Sequence, residues 1–199
     1  MANYKCCQTQ SSWNGRCNTV MAHSAEYLKQ LKTLHSNSAF GSGADIPAVV
    51  KEILDSGEVN SFLDFGSGKG YLSQAISEAY PHIKLYTYDP VTSPIDLPEK
   101  VDMTYSSDVL EHVEVDMLEK TLDDLFTRTT KYHYHLIACH PAKKKLSDGR
   151  NAHLIIENPK WWKRQLQKYN WQIQHEKITE RYVEKFDINV IKYITVLKQ

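Results

Sequence analysis

Several things are scarce in this chain, and each scarcity narrows what it can be. Its 199 residues carry 24 Lys+Arg against 24 Asp+Glu, a formal net charge of +0. The global basic field of a nonspecific nucleic-acid binder is therefore missing, although a local basic face stays open. No apolar run approaches the ~20 residues of a membrane span, and the opening Met1-Ala2-Asn3-Tyr4-Lys5-Cys6-Cys7 is too polar for a secretory signal. No membrane partner is expected, and the cytoplasm is the expected compartment. Only four cysteines occur, at positions 6, 7, 17 and 139. Neighbouring Cys6 and Cys7 are poor partners for each other, and Cys139 ends an apolar run, so reduced thiols are expected rather than a disulfide framework. Cys6, Cys7, Cys17 and His23 do not follow a zinc-ligand spacing. Repeats and low-complexity tracts are also absent.

At roughly 150 residues per domain, the length fits one compact domain. Residues 1 to about 20, rich in Asn, Gln, Ser and Thr and without periodicity, are expected to form a loose tail ahead of a single domain over 21–199. Tyr27, Leu31 and Leu34 recur at helical spacing. A second helix is expected to start at the cap Asp45, to hold Pro47 in its first turn and to stop at Gly57. Phe62 to Phe65 form a short apolar strand that runs into Gly66-Ser67-Gly68-Lys69-Gly70 and a helix with Leu72, Ala75, Ile76 and Ala79 on one face. Strands are predicted at Ile83 to Tyr88, Val101 to Ser106 and His133 to Cys139. An acidic-capped helix carries Leu118, Leu122 and Leu125, and another carries Trp162, Leu166 and Tyr169. Trp171 to Ile178 and Asn189 to Leu197 close the chain as paired strands. Strands alternating with helices predict a three-layer α/β fold, its sheet mostly parallel with an antiparallel C-terminal strand.

Spacing separates the ligands that a strand–glycine loop–helix unit can bind. A Walker loop fails, because Leu63 stands where its first glycine belongs and Gly70 where its hydroxyl belongs. A dinucleotide fingerprint would place its third glycine at 71, where the chain has Tyr71. What is present is Asp-x-Gly-x-Gly-x-Gly at Asp64, Gly66, Gly68 and Gly70, with Asp89 ending the next strand. This combination resembles the first motif of the class I S-adenosylmethionine-dependent methyltransferases. The stretch Asp108-Val109-Leu110-Glu111-His112 is similar to a second segment of that family, which walls its cofactor and acceptor pockets. The likeness implies S-adenosyl-L-methionine as cofactor and S-adenosyl-L-homocysteine as product. It implies cofactor contacts from Asp64, Gly66, Ser67, Gly68, Gly70, Asp89, Pro90, Ser107 and Asp108. Gly66 and Gly68 would let the backbone approach the methionine end, Asp64 would face its ammonium, and Asp89 would accept both ribose hydroxyls.

The chain departs from that family in one place. Between Asp89-Pro90 and Val101 there is no room for the usual helix and strand, so the sheet is expected to lack its third strand at one edge. Val91, Ile95, Asp96 and Leu97 are candidates to cover the adenine. Asp108, Glu111 and His112 are expected to leave a strand end and enter a helix N-terminus, Asp108 serving also as its cap.

Acceptor classes separate on what the strand ends hold. Amino-directed DNA methyltransferases resemble one another in an Asn/Asp-Pro-Pro-Tyr/Phe turn, where this chain has Ser106-Ser107-Asp108-Val109. Cytosine-C5 enzymes carry Pro-Cys, whereas Cys139-His140-Pro141 reverses that order, so Cys139 is read as buried packing. Residues 89–126 hold eleven acidic and two basic residues, and 141–170 hold eight basic and two acidic. The basic part is suited to a phosphate or carboxylate near the site. The polar stretch from Pro141 to Leu154 is long for a strand–helix connection and is expected to close a pocket. It is similar to a segment of small bacterial and bacteriophage methyltransferase-domain proteins, which for a bacteriophage protein would place it in the host cytoplasm. Methyl transfer is an in-line displacement that needs alignment and exclusion of water, and no metal. The candidate bases are His153, then His140 and Asp108. Glu111, His112, Arg150, Asn151 and Trp162 are expected around the acceptor. The main expectation is transfer to an oxygen or nitrogen of a small-molecule or glycan-like acceptor. Alternatives are a cofactor-binding subunit without transfer activity and a nucleic-acid methyltransferase.

Overall fold

The computed structural model describes residues 23–35 and 45–199, so the expected tail, with Cys6, Cys7 and Cys17, lies outside the described residues. Helices α1 (Ala25–His35) and α2 (Ala48–Asp55) precede β1 (Ser61–Phe65), α3 (Tyr71–Ala79), β2 (Lys84–Tyr88) and β3 (Val101–Ser107). Two 3-10 turns, Leu110–His112 and Val115–Met117, lead into α4 (Leu118–Arg128). Then follow β4 (Thr129–Ala138), α5 (Pro159–Gln167), β5 (Gln172–Val183) and β6 (Ile188–Lys198). The strands form one six-stranded sheet in the order β2-β1-β3-β4-β6-β5. β1 to β4 run parallel, β6 is antiparallel to β4, and β5 is antiparallel to β6. β2 is an edge strand, as the short Asp89–Val101 connection requires.

Period-2 alternation puts the two faces of each strand into two cores. Phe62, Met103, Tyr132 and Tyr134 pack beneath α2 and α3 with Val50, Leu54 and Ile76. Leu63, Phe65, Ile137 and Leu197 pack on the other face against α4 and α5, with Leu122, Leu125, Trp162 and Leu166. A third, small cluster joins Tyr27 and Leu31 of α1 to Leu146 of the segment after β4.

Several local expectations need correction. The N-cap of α2 is Pro47, without a side-chain hydrogen bond, so Asp45 caps nothing. No α-helix begins at Asp108. The chain makes a 3-10 turn with Val109 as its N-cap, and α4 starts only at Leu118, after Met117, again without a side-chain cap. Tyr169 lies beyond the end of α5 and stacks on Phe126 at 4.1 Å between ring centroids. β4 begins at Thr129, directly after α4. The closing ribbon continues to Val183 and Ile188, farther than its hydrophobic pattern indicated, because β5 is mostly solvent-exposed on both faces.

The core holds two histidines in succession on one face of β4. His133 is fully buried, stacked on Phe126 at 4.1 Å, with neither ring nitrogen hydrogen-bonded, and His135 meets the Ser106 hydroxyl at 2.8 Å. Burial depresses both, His135 to about 3. Above the unfolded value near 6.5 both states are neutral. Below it the unfolded chain takes up protons that the native chain does not, so these groups remove stability as pH falls. His133→Leu is expected to be close to neutral at pH 7, since it deletes unpaired polar atoms at similar volume. It should also flatten the loss of stability between pH 6.5 and 5 by up to about 1.4 kcal/mol per pH unit. Urea unfolding at several pH values measures this, and an unchanged slope would contradict the assignment.

Candidate functional site

The turn after β1 is built by backbone bonds that leave it little freedom. The N–H groups of Gly66 and Ser67 both donate to the Tyr88 carbonyl, at 2.8 and 2.9 Å, and Gly70 donates to Ser67 at 2.9 Å. Gly66 has φ +79°, and a Cβ built there would lie 2.4 Å from Val109 Cγ2. Its lack of a side chain therefore also serves the fit of the loop against the turn after β3. Gly70, at φ 74°, is the N-cap of α3 and does not line the cleft described below.

Asp64 and Asp89 are both buried beside this loop. Asp64 accepts from Ser73 Oγ at 2.7 Å. Burial pushes its carboxyl up to about 6, with Asp89 adding to the rise and the Ser73 bond opposing it. Asp89 Oδ2 accepts from Gly68 N–H at 3.1 Å, and its Oδ1 accepts from the N–H groups of Val91 and Thr92, each at 2.9 Å. A carboxylate offers about four lone-pair sites. Asp89 thus organises the glycine loop and the turn beyond β2 together, so accepting two ribose hydroxyls would require it to exchange part of this bonding.

At the end of β3, Asp108 adopts φ 52° and pairs with Lys192 Nζ of β6 at 2.9 Å. The 3-10 turn that follows sends Glu111 inward, fully buried, where one carboxylate oxygen accepts from Ala138 N–H at 3.1 Å and the other has no partner. Burial, with Asp108 nearby, raises Glu111 well above the ordinary carboxylate range. His112 is held through Nδ1 by the Ala152 carbonyl at 2.7 Å, and His153 through Nδ1 by the His140 carbonyl at 2.5 Å. Burial keeps His153 below its ordinary value. His140 is in turn held by the Ile191 carbonyl at 3.0 Å.

The segment after β4 forms a wall. Asn151 pins it by bonding both the N–H and the carbonyl of Ala142, at 2.9 Å each, and by accepting from His153 N–H at 2.9 Å. Gln30 of α1 reaches Asp148 at 2.9 Å, and Ser24, ahead of α1, is hydrogen-bonded to Glu114. α1 is thereby fastened across the carboxyl edge of the sheet. Between these parts lies a cleft of about 660 Å³, within the roughly 300–1,000 Å³ of small-molecule sites. Asp64, Gly66, Ser67, Gly68, Asp89 and Pro90 line one side, and Ser107, Asp108, His112, His140 and His153 another. His23, Leu31 and Pro47 close it from the N-terminal side, and Ala142 to Lys144 from the wall segment. Two buried polar atoms on this lining, Ser67 Oγ and His23 Nδ1, have no hydrogen-bond partner.

Some expected residues fall elsewhere. Trp162 is completely buried in the core under α5 and does not line the cleft, because its position on the apolar stripe of that helix turns it toward β6 and β4. Arg150 is exposed and pairs with Asp148 at 2.7 Å, so both it and Asn151 shape the wall segment rather than the cleft surface. None of Val91, Ile95, Asp96 and Leu97 lines the cleft, and Leu97 is part of the core. Cys139 is buried in that core as read. Lys192, which pairs with Asp108, and Tyr105, which lines the cleft, were not foreseen. Both lie on strands, where an alternating pattern marks facing but no motif marks chemistry.

Comparison of the sequence with protein-family models and with curated proteins gives no match. Solved structures share the architecture. A 1,6-didemethyltoxoflavin-N1-methyltransferase from Burkholderia thailandensis, with 1,6-didemethyltoxoflavin and S-adenosylhomocysteine bound, aligns with a TM-score of 0.53 at 13% identity, over 87% of this chain and 89% of its own. A SAM-dependent methyltransferase from Methanosarcina mazei aligns with 0.55 at 10% identity, over 78% of this chain and 98% of its own. A mitomycin 7-O-methyltransferase aligns with 0.51 at 11% identity, over 88% of this chain and 55% of its own. The fold is that of the S-adenosylmethionine-dependent methyltransferases. At these identities the fold is what is shared.

Proposed function

We propose that the cleft binds S-adenosylmethionine and that the protein transfers its methyl group to an oxygen or nitrogen of a small-molecule or glycan-like acceptor. The observation that carries this reading is the pairing of Asp64 and Asp89, both buried, around a glycine turn at the carboxyl edge of a parallel sheet, on the wall of a cleft of about 660 Å³. Asp64, raised by burial and with no cation paired to it among the described residues, is the group that a ligand ammonium would return to its charged form. Ser67 Oγ supplies an unused hydroxyl on the same turn. The cofactor would supply the electrophilic methyl. Ser107 and Asp108 border its place from β3, while α1 and the wall segment exclude water.

His112, His140 and His153 bring three imidazoles to the acceptor side. Nδ1 of His140 and of His153 faces a backbone carbonyl, so Nε2 carries the lone pair that could accept a proton. The small-molecule acceptors named for two of the structural neighbours support that acceptor class. The basic segment gives little support to a nucleic-acid acceptor. Arg150 is paired with Asp148, Lys163 with Glu176 at 2.8 Å, and Lys143 lies over the Phe186 ring at 3.0 Å. Isothermal titration tests the reading. The unmutated protein is expected to bind both S-adenosylmethionine and S-adenosylhomocysteine, and Asp89→Ala, which frees three backbone N–H groups of the loop, to weaken both by at least tenfold. Absence of binding by the unmutated protein would end the proposal.

A further inference from the structure

Glu111, His112 and His153 come from positions up to 42 apart in the sequence, yet each places one potential ligand atom within 4.8 Å of the others. Donor atoms around a four-coordinate ion at bond lengths near 2.1 Å stand roughly 3.4 Å apart. Small side-chain rotations would therefore close the set. The Glu111 carboxylate has one oxygen fixed by Ala138 N–H, while its second oxygen is buried without a partner. Both histidines are held by a carbonyl at Nδ1. Since a carbonyl only accepts, each Nδ1 bears the proton and each Nε2 the lone pair. This is the tautomer, with the supporting bond, by which histidines ligate metals. The two rings stand nearly perpendicular, at 84° with centroids 4.8 Å apart, so they approach the space between them from different directions. His112 and His153 also line the cleft.

We infer that Glu111, His112 and His153 form a divalent metal site whose remaining coordination positions face the cleft and bind an acceptor hydroxyl. Two imidazoles and one carboxylate with open positions suit a first-row ion such as Mn²⁺ or Fe²⁺. The ion gives the buried carboxylate a directly bound positive partner. The part of this inference that concerns the acceptor rests on the methyl-transfer reading; the ion site does not. Coordination lowers the pKa of the hydroxyl, and its proton passes to Nε2 of His140, the imidazole on the acceptor side that holds no ion. The alkoxide then forms the new C–O bond as the S–C bond of the donor breaks, and the sulfonium departs as the neutral thioether. The acceptor class is accordingly an oxygen nucleophile able to chelate, such as a vicinal diol or an enol. His153 acts as a ligand rather than as the base.

Mn²⁺ is the probe of choice, because Cys6, Cys7 and Cys17 would compete for softer ions. Titration of the full chain, followed by electron paramagnetic resonance and calorimetry with and without S-adenosylhomocysteine, is expected to show one Mn²⁺ per chain. Loss of a supporting group alone costs about 10–100-fold in affinity, so His153→Ala and Glu111→Gln should each weaken Mn²⁺ binding by at least tenfold. His82→Ala, an exposed histidine, should not. His153→Ala, at the cleft surface, guards against the chance that Glu111→Gln fails to fold. No stoichiometric Mn²⁺ binding by the unmutated protein, or unchanged affinity in both variants, overturns the inference. Mn²⁺ binding without binding of S-adenosylmethionine would leave the ion site standing and remove the methyl-transfer reading; the reverse result would do the opposite.

Discussion

Gly66→Ala is expected to destabilise the fold by about 2–5 kcal/mol and to abolish binding of S-adenosylmethionine. Two costs add. A non-glycine residue at φ +79° pays about 1–2 kcal/mol for the left-handed conformation. The new methyl would also lie 2.4 and 2.7 Å from the two Val109 methyl carbons, an overpacking worth about 1–3 kcal/mol. The turn cannot retreat, because the N–H groups of Gly66 and Ser67 are both bonded to Tyr88 O. Gly66→Ala/Val109→Ala separates the two costs. Removing the Val109 methyls should recover the packing part and leave the conformational part, since Val109 Cβ at 3.1 Å is only a tight contact. Chemical denaturation of Gly66→Ala, Val109→Ala and the double variant measures this, and a Gly66→Ala protein as stable as the parent would refute the geometry of the turn.

Trp162→Ala is expected to cost about 3–5 kcal/mol, a large share of the 5–15 kcal/mol typical of a domain. The side chain is wholly buried between α5 and the sheet, and its indole N–H has no partner. Trp162→Phe should therefore lose contact area but no hydrogen bond, and cost clearly less. Neither variant removes a group from the cleft, so the affinity of Trp162→Phe for S-adenosylmethionine should stay within about twofold of the parent. A selective loss of ligand affinity in Trp162→Phe, with stability unchanged, would return this residue to the acceptor site from which the structure removes it.

The segment Asp108 to His112 is a turn that directs side chains inward and not a helix start. Read as a helix start, Asp108 would cap and Glu111 would sit near a dipole. The 3-10 turn instead points Glu111 into the interior, and the segment after β4 brings His153 to it through the carbonyls of His140 and Ala152. The same wall segment brings Lys143 and Lys144 to the cleft, and it is fastened by Asn151 from within. Asn151 and Arg150 are polar groups close to a histidine in sequence. Their partners show that they hold the loop in shape.

How much could be read before the structure follows from how local each signal is. The glycine turn, Asp64 and Asp89 are separated by one strand–helix–strand unit, so spacing alone places them at one sheet edge. The missing third strand was equally legible, because Val91 to Lys100 are too few residues to build a helix and a strand. The apolar runs Phe62 to Phe65 and His133 to Cys139 were legible as strands, and their alternation with helices as a sheet covered on both faces. Helix starts were less legible. Asp45 and Asp108 are good caps by residue type, but Pro47 and Val109 take those positions with no side-chain bond, because packing of the following turns sets where each helix begins.

The sequence by itself determined the order of strands and helices and the glycine turn, because these depend on residues within about thirty positions of one another. Only the tertiary structure decided which side chains share the cleft. Trp162 was withdrawn into the core by the facing of its helix, Glu111 was buried by the turn after β3, and Lys192 was paired with Asp108 across 84 positions of sequence. A histidine forty residues away was delivered to Glu111 by a loop whose path no local pattern encodes. Such contacts are set by how the layers and loops pack against one another, a property of the whole chain that no segment carries alone.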